Sequence, residues 1–305
     1  MSCRRVAGSG RGHAVRLLSL PLCAALLGCP RSPPPSQFPS ANDALERMRD
    51  TYSCSRGLQG EASLDYFGDE GRVRGNVLYK ALLPEQLRFD VFSPFGVTIS
   101  TLTSNGKTFA LYDLREKVFL TGPANTCNVA RFTRVPVPPH ALSQLLRGEA
   151  PVLVHEPHQA RIAWESGNYV VRIDSKHQAS QEIHLEPVDQ DFFRPWQQQR
   201  VRVLEVNVRQ EGIDLYRAQL ADHRSASTAK AWQDPDGLSG GVQPSGPPCS
   251  AEIPRRMRLE VPGTDQDLIL RAKEAFHNPP IVAGTFEQAP RGGVSVRHSN
   301  CRDRR

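Results

Sequence analysis

Apolar and polar residues alternate with a period of two through most of the chain, first between Arg72 and Tyr79. Successive side chains of a β-strand point to opposite faces of a sheet, so this alternation predicts strands with one buried face. Asn105 and Gly106 form a dipeptide that is typical of a tight hairpin between two such runs. Similar runs recur as far as Lys273 and amount to about eleven strands. The sequence therefore predicts a mostly β fold, a large curved antiparallel sheet or an open barrel.

Three segments depart from this alternation. Asn42 can cap a short helix that ends near Asp50. Residues 139–148 begin with proline and end with glycine, the order that is typical of a helix. Residues 222–250 have neither period and are rich in Gly, Pro and Ser, which predicts a mobile loop that ends at Cys249.

The N-terminal region has the layout of an export signal. Residues 1–16 are basic and contain no acid, and residues 17–28 are short and apolar. The signal ends in Leu26-Leu27-Gly28-Cys29, which resembles the lipobox of bacterial lipoproteins. That resemblance implies that Cys29 is acylated, for example with palmitate, and anchors the chain in the outer membrane, facing the periplasm. The alternative is an ordinary secretion signal with a coincidental cysteine.

Composition limits the remaining possibilities. Without residues 1–28, 34 basic residues face 32 acidic ones, because four of the 38 arginines and lysines lie in the signal. A net charge of +2 argues against a nucleic-acid-binding surface. Residues 29–40 hold five prolines and predict a semi-rigid tether between the anchor and the body. Residues 41–301 then form a single domain, and residues 302–305 a basic tail.

Four cysteines remain in the exported body after Cys29. In an oxidising compartment they predict two disulfides with three possible connectivities. We favour the two pairs that each lie within one half of the chain. These pairs are Cys54–Cys127 and Cys249–Cys301. No CxxC or close Cys/His pair suggests a metal site, so neither a metal nor a cofactor is expected.

Catalytic motifs are weak. Ser227 and Lys230 have the SxxK spacing of penicillin-recognising enzymes, but the downstream SDN and KTG elements are missing from the sequence. We therefore predict that the protein is not an enzyme. An envelope hydrolase would require convergent polar residues that the sequence does not reveal.

The stretch from Leu87 to Gly148 carries a family resemblance. Residues 87–96 (LRFDVFSPFG) read as a strand that runs into a Pro-apolar-Gly loop, and a hairpin follows. Residues 135–148 (VPVPPHALSQLLRG) hold a Pro-apolar-Pro segment that opens a helix. This order resembles the LolA/LolB lipoprotein-localisation family over about 60 residues.

The resemblance implies an open, strongly curved antiparallel half-barrel with capping helices and an apolar cavity for acyl chains. It implies that Phe95 projects from its loop towards lipid, whereas the alternative is a buried loop anchor. An inward stripe would line the cavity, with ordinary core packing as the alternative. The stripe comprises Val77, Phe89, Val91, Val97, Ile99, Phe109 and Leu111.

Two functions follow from these observations. The first is a monomeric, lipid-anchored envelope protein that binds lipid acyl chains or lipoproteins and aids their insertion into the outer membrane. The second is a non-catalytic interaction lipoprotein that docks an envelope partner, with contacts on an edge strand or on the 222–250 loop.

Overall fold

The computed structural model describes residues 31–68, 71–93, 95–237, 240–264 and 266–299. Cys29, Pro94 and Cys301 therefore lie outside the described residues, as do the signal and the basic tail. From Ser32 onwards the chain forms one compact unit.

A single fifteen-stranded sheet dominates the described part of the chain. The strands are β1 (Gly57–Gly68), β2 (Gly71–Leu82), β3 (Gln86–Phe92), β4 (Thr98–Asn105), β5 (Thr108–Asp113), β6 (Val118–Pro123), β7 (Ala160–Glu165), β8 (Asn168–Asp174), β9 (Ala179–Pro187), β10 (Val201–Gln210), β11 (Ile213–Ser225), β12 (Ser227–Thr228), β13 (Glu252–Glu260), β14 (Asp267–His277) and β15 (Ser295–His298). The helices are α1 (Ala41–Tyr52), α2 (Thr126–Thr133) and α3 (Pro139–Leu146).

The sheet is open, and its edge strands are β15 and β7. The strand order is β15-β6-β5-β4-β3-β2-β1-β14-β13-β11-β10-β9-β8-β7. The short strand β12 is not part of this order and pairs with β14. Neighbouring strands are antiparallel, except that β15 runs parallel to β6 and β12 runs parallel to β14. The predicted mostly β class is confirmed, but the predicted count of about eleven strands is too low. The strong curvature of a half-barrel stays a prediction.

The helices pack against one face of the sheet, which we call the inner face. Phe89 on β3 stacks on Phe132 of α2 at a ring-centroid distance of 5.0 Å, and α3 contacts β2, β3 and β13. Helix α1 contributes apolar side chains such as Leu45 and Met48 to the same core. Its N-cap is Ser40, whose Oγ accepts from the Asp43 amide at 3.2 Å, and not Asn42 as the sequence suggested.

The opposite, outer face of β3, β4 and β5 is crossed by residues 279–299, which we call the C-terminal strap. The side-chain amide of Gln288 donates to the Thr101 carbonyl at 3.1 Å and to the Ala110 carbonyl at 3.2 Å. Arg88 donates to the Thr285 carbonyl at 3.1 Å. The strap then ends in β15, which covers the edge of β6.

The 222–250 segment is more regular at its start than the sequence predicts. Strand β11 continues through Ser225, so irregular chain begins at Ala226 rather than at Asp222. Trp232 and Val242 then pair in an isolated antiparallel bridge. Ser227 and Thr228 form a short strand, so the helix that SxxK chemistry requires is not formed there.

The observed disulfide differs from the predicted pairing. Cys54 bonds to Cys249, with a Cα–Cα distance of 5.2 Å, so the favoured connectivity is wrong. The cause is the long-range pairing of β1 with β14, which brings Asn278 beside the start of β1. The Asn278 amide donates to the Cys54 carbonyl at 2.8 Å and to the Pro247 carbonyl at 2.6 Å, which holds the two chain segments together.

Cys127 is also disulfide-bonded. Its partner is not Cys54, which is bonded to Cys249.

Part of the predicted tether is packed against the body. Pro34 is buried, and Phe38 is only 5% exposed. The Phe38 ring lies 4.8 Å from that of Tyr169 and 6.1 Å from that of Trp196, measured between centroids. The Trp196 amide also donates to Ser36 Oγ at 3.0 Å. Residues 34–40 are therefore part of the folded body.

Candidate functional site

Three turns lie at one end of the sheet. They connect β1 to β2, β3 to β4, and β5 to β6. The end of β3 pairs with β2 through Phe92 and Asn76, and the start of β4 pairs with the end of β5 through Ser100 and Asp113. Because these strands are consecutive in the sheet order, the three connections lie at the same end of the sheet, and the β1–β2 hairpin extends beyond the Asn76–Phe92 pair as far as Gly68 and Gly71. We call this edge the hairpin end.

Large apolar side chains are exposed at the hairpin end. Phe95 is 92% exposed and Val97 is 64% exposed, both between β3 and β4. We call the whole set the apolar rim: Phe67, Val73, Phe95, Val97 and Leu114. Single exposed apolar residues are ordinary, but several of them at one end of a sheet are typical of a surface that contacts lipid or a partner. Phe67 and Val73 lie on opposite faces of their hairpin, because Phe67 pairs with Arg72 and Val73 pairs with Tyr66.

The chain around Phe95 forces its ring outwards. Ser93 donates its amide to the Val97 carbonyl at 2.8 Å, and its own carbonyl accepts from the Gly96 amide at 3.0 Å. Ser93 Oγ accepts from the amides of Phe95 and Val97. Gly96 has a φ of 77°, a left-handed conformation that favours glycine. The amides of Ser93, Phe95, Gly96 and Val97 therefore all donate within the turn, and Phe95 stays exposed.

Charged side chains stand next to the rim on β1 and β2. Arg72 donates its Nε to Asp65 Oδ1 at 2.7 Å, and this hydrogen bond holds the pKa of the Asp65 carboxyl below its usual value. The Nε of Arg74 lies 3.6 Å from the same carboxylate. Both arginines are at least half exposed, so they remain accessible to an anionic surface.

The residues of the predicted inward stripe lie in different environments in the structure. Val77, Phe89 and Phe109 are fully buried in the core, and Val91 and Leu111 pack against it. Ile99 is half-buried at the start of β4. Val97 lies on the rim instead of in the stripe. The stripe therefore contributes to a packed interior on the inner face.

Three clefts lie on the outer face, and one of them reaches the rim at Leu114. On the inner face, a space of only about 10 Å³ lies near Tyr79, Leu146 and Met257. On the outer face, clefts of about 370, 390 and 430 Å³ adjoin the C-terminal strap and the 226–250 segment. None of the three helices in the described part of the chain has the length and hydrophobicity that crossing a bilayer requires.

Sequence reasoning identified Phe95, placed Val97 in the inward stripe, and missed Phe67, Val73 and Leu114. Phe67 is followed by Gly68, and Val73 comes shortly after Gly71 at the other side of the same turn. The signal that could have identified Phe67 and Val73 was an aromatic or β-branched residue close to a glycine in a turn. The sheet order alone shows that Phe67 and Val73 lie at the same end of the sheet as Phe95.

Comparisons with known proteins agree on the architecture. No protein-family model and no curated protein matches the sequence. Among solved structures, a DUF1329 family protein from Desulfovibrio piger matches with a TM-score of 0.52 and 11% identity, over 81% of this chain and 95% of that one. This match shows that the two chains share a fold. At this identity the match concerns the fold alone.

Two further structures align with lower scores. An outer membrane lipoprotein-sorting protein domain from Vibrio parahaemolyticus has a TM-score of 0.48 and 12% identity, over 81% of this chain and 97% of that one. A LolA superfamily protein from Nitrosomonas europaea has a TM-score of 0.49 and 10% identity, over 82% of this chain and 98% of that one.

Proposed function

We propose that this protein is a lipid-anchored envelope protein that contacts lipid acyl chains or lipoproteins through its apolar rim and aids lipoprotein insertion into the outer membrane. The observation that carries the proposal is the 92% exposure of Phe95 on a turn whose described amides already donate hydrogen bonds within the turn. The resemblance of residues 87–148 to the LolA/LolB family agrees with this function.

The rim supplies the driving force for lipid contact. Moving one large apolar side chain from water into acyl chains contributes roughly 1.5–3 kcal/mol. Exposed arginines such as Arg74 can meet anionic headgroups, at about 1 kcal/mol for each charge near the surface. No covalent chemistry is needed for such a step.

The interior is a less suitable place for an acyl chain. Val77, Phe89 and Phe109 are already in contact with a packed core, so a chain could enter only if the helices moved. The proposal therefore assigns lipid contact to the rim.

The first prediction tests the rim. Phe95→Glu should abolish lipoprotein delivery to membranes, because a carboxylate replaces the side chain that enters the acyl region. Its free energy of unfolding should change by less than about 0.5 kcal/mol, because the position is exposed. A lipoprotein-incorporation assay and urea unfolding on the same variant measure both effects.

Phe193→Glu is the matched control, since Phe193 is 81% exposed but lies after β9, away from the rim. We expect normal delivery in this control. Normal delivery by Phe95→Glu as well would remove the rim from the mechanism.

The second prediction tests the anchor. Cys29→Ala should leave a folded protein in the soluble periplasmic fraction, because several acyl chains are what hold the chain to the membrane almost permanently. Cell fractionation and mass analysis of the N-terminal peptide measure the outcome. Full retention of this variant in the membrane fraction would contradict lipidation at Cys29 as the anchor.

Docking of an envelope protein on the outer face is a second candidate function. The observation that favours it is the presence of three clefts of about 370, 390 and 430 Å³ on the outer face. Intact lipid contact combined with loss of a co-purifying protein in a cleft variant would favour this function.

A further inference from the structure

Strand register brings three side chains into one transverse row on the outer face. Gln59 on β1 lies directly opposite Lys80 on β2 and Phe276 on β14. Directly opposite residues have Cβ atoms about 4.5–5.5 Å apart. All three residues line both of the adjoining clefts of about 390 and 430 Å³. The two clefts therefore form one continuous depression, which we call the outer groove.

The polar end of the outer groove holds Lys80 and Gln59, and the carboxylates of Asp90 and Glu274 line the same cleft. In the described residues, neither the Lys80 ammonium nor the Gln59 amide makes a hydrogen bond or an ion pair. Arg88 lies opposite Lys80 on β3, but its charge is engaged by Asp90, with Nε 2.7 Å from Oδ2. Burial, together with the charge of Arg88, lowers the pKa of Lys80. Asp90 already faces Arg88, so an anion that approaches Lys80 from the side of Gln59 would satisfy Lys80 and offset its repulsion by Arg88.

The rest of the outer groove is lined by apolar side chains, together with the polar Thr285 and the charged Lys230. Leu78, Trp232 and Val282 are 45%, 42% and 55% exposed along its length. Pro279 and Pro280 complete the wall beside Trp232 and Val282. Exposed apolar side chains that converge on one depression are typical of a binding site.

The groove offers few hydrogen-bonding groups to a peptide. An extended peptide gains its affinity from main-chain bonds to a free strand edge. Strands β1 and β2 are each paired on both sides, so the floor of the groove has no free edge there. A ligand with one polar end and a long apolar part matches this distribution.

We propose that the outer groove binds a single-chain anionic amphiphile, with its head group on Lys80 and Gln59 and its alkyl chain against Phe276, Trp232 and Val282. The volumes of the two clefts fall within the range of small-molecule sites, about 300–1,000 Å³. This site is on the outer face and is separate from lipid contact at the rim.

Titration calorimetry with the purified full-length protein tests the site. The probes are dodecanoate, dodecyl phosphate and neutral dodecanol, all below the concentration at which they aggregate. At least one of the two anions should bind, and the tighter of them identifies a carboxylate or a phosphate head. Lys80→Met should weaken this binding about tenfold, because it removes a charge-assisted hydrogen bond.

Matched variants make the outcome decisive. Lys107→Met removes a lysine from the exposed turn between β4 and β5 and should leave binding unchanged. Trp232→Ala removes an exposed side chain of the apolar wall and should also weaken binding severalfold. If Lys80→Met does not fold, the affinity of Trp232→Ala tests the site instead. Phe95→Glu should bind the probes normally, even if it fails in lipoprotein delivery.

Three results would overturn the proposal. The first is the absence of binding by either anion, and the second is dodecanol binding as tightly as the anions. The third is unchanged affinity in folded Lys80→Met or in Trp232→Ala. Loss of probe binding in Phe95→Glu, with normal binding in Lys80→Met, would place the ligand on the rim and not in the outer groove.

Discussion

Removing the Cys54–Cys249 disulfide should lower the free energy of unfolding by about 5 kcal/mol, since the bond closes a loop with a sequence separation of 195 residues. In the chain-entropy model the cross-link acts mainly on the unfolded chain, whose conformational freedom it restricts. The double variant Cys54→Ala/Cys249→Ala avoids leaving a free thiol. Urea unfolding, with the midpoint and slope compared with those of the parent, measures the loss.

The variant also reports on local order. Cys249 lies near the end of the 226–250 segment. Loss of the disulfide should increase amide exchange in this segment more than in the strands of the core. Equal unfolding free energies for parent and double variant would show that the Asn278 hydrogen bonds hold the two segments without the covalent bond.

Glu149→Leu should lower the free energy of unfolding by about 3–5 kcal/mol, because it leaves the buried guanidinium of Arg147 without its counter-charge. Arg147 is 1% exposed and donates to the Glu149 carboxylate and to the Ser55 carbonyl. Burial lowers the pKa of Arg147 and raises that of Glu149, so each charge depends on the other.

The double variant Arg147→Met/Glu149→Leu is the control for this pair. It removes both charges together, so most of the lost stability should return. Urea unfolding of the parent, the two single variants and the double variant gives the interaction energy. A double variant as unstable as Glu149→Leu would contradict this prediction. It would indicate that lost packing, and not an unpaired charge, causes the lower free energy of unfolding.

The sequence predicted strands well where the inward residues are large. Strands β2 and β3 place residues such as Tyr79 and Phe89 on the inner face, so the alternation is easy to recognise. In β1 the inward positions include Gly60 and Ala62, which hide the pattern. A Cβ atom at Gly60 would lie 2.5 Å from the Tyr79 hydroxyl, so a larger side chain does not fit there.

The disulfide and the outer groove could not be predicted in this way. Both depend on the pairing of β1 with β14, two strands about 200 residues apart in the chain. Alternation specifies which face a residue occupies but not which distant strand lies beside it. Phe95 was predictable because its exposure is a local property of a short turn.

The burial of Pro34 and Phe38 has a consequence for where the protein can act. Only residues 30–33 separate Cys29 from the packed chain, and five residue steps span at most about 18 Å when fully extended. If Cys29 is acylated, the body is confined to a thin layer over the bilayer instead of sampling the depth of the periplasm. Confinement of this kind raises the effective concentration of the body at the lipid surface. Weak contacts with lipid therefore re-form many times before the protein diffuses laterally.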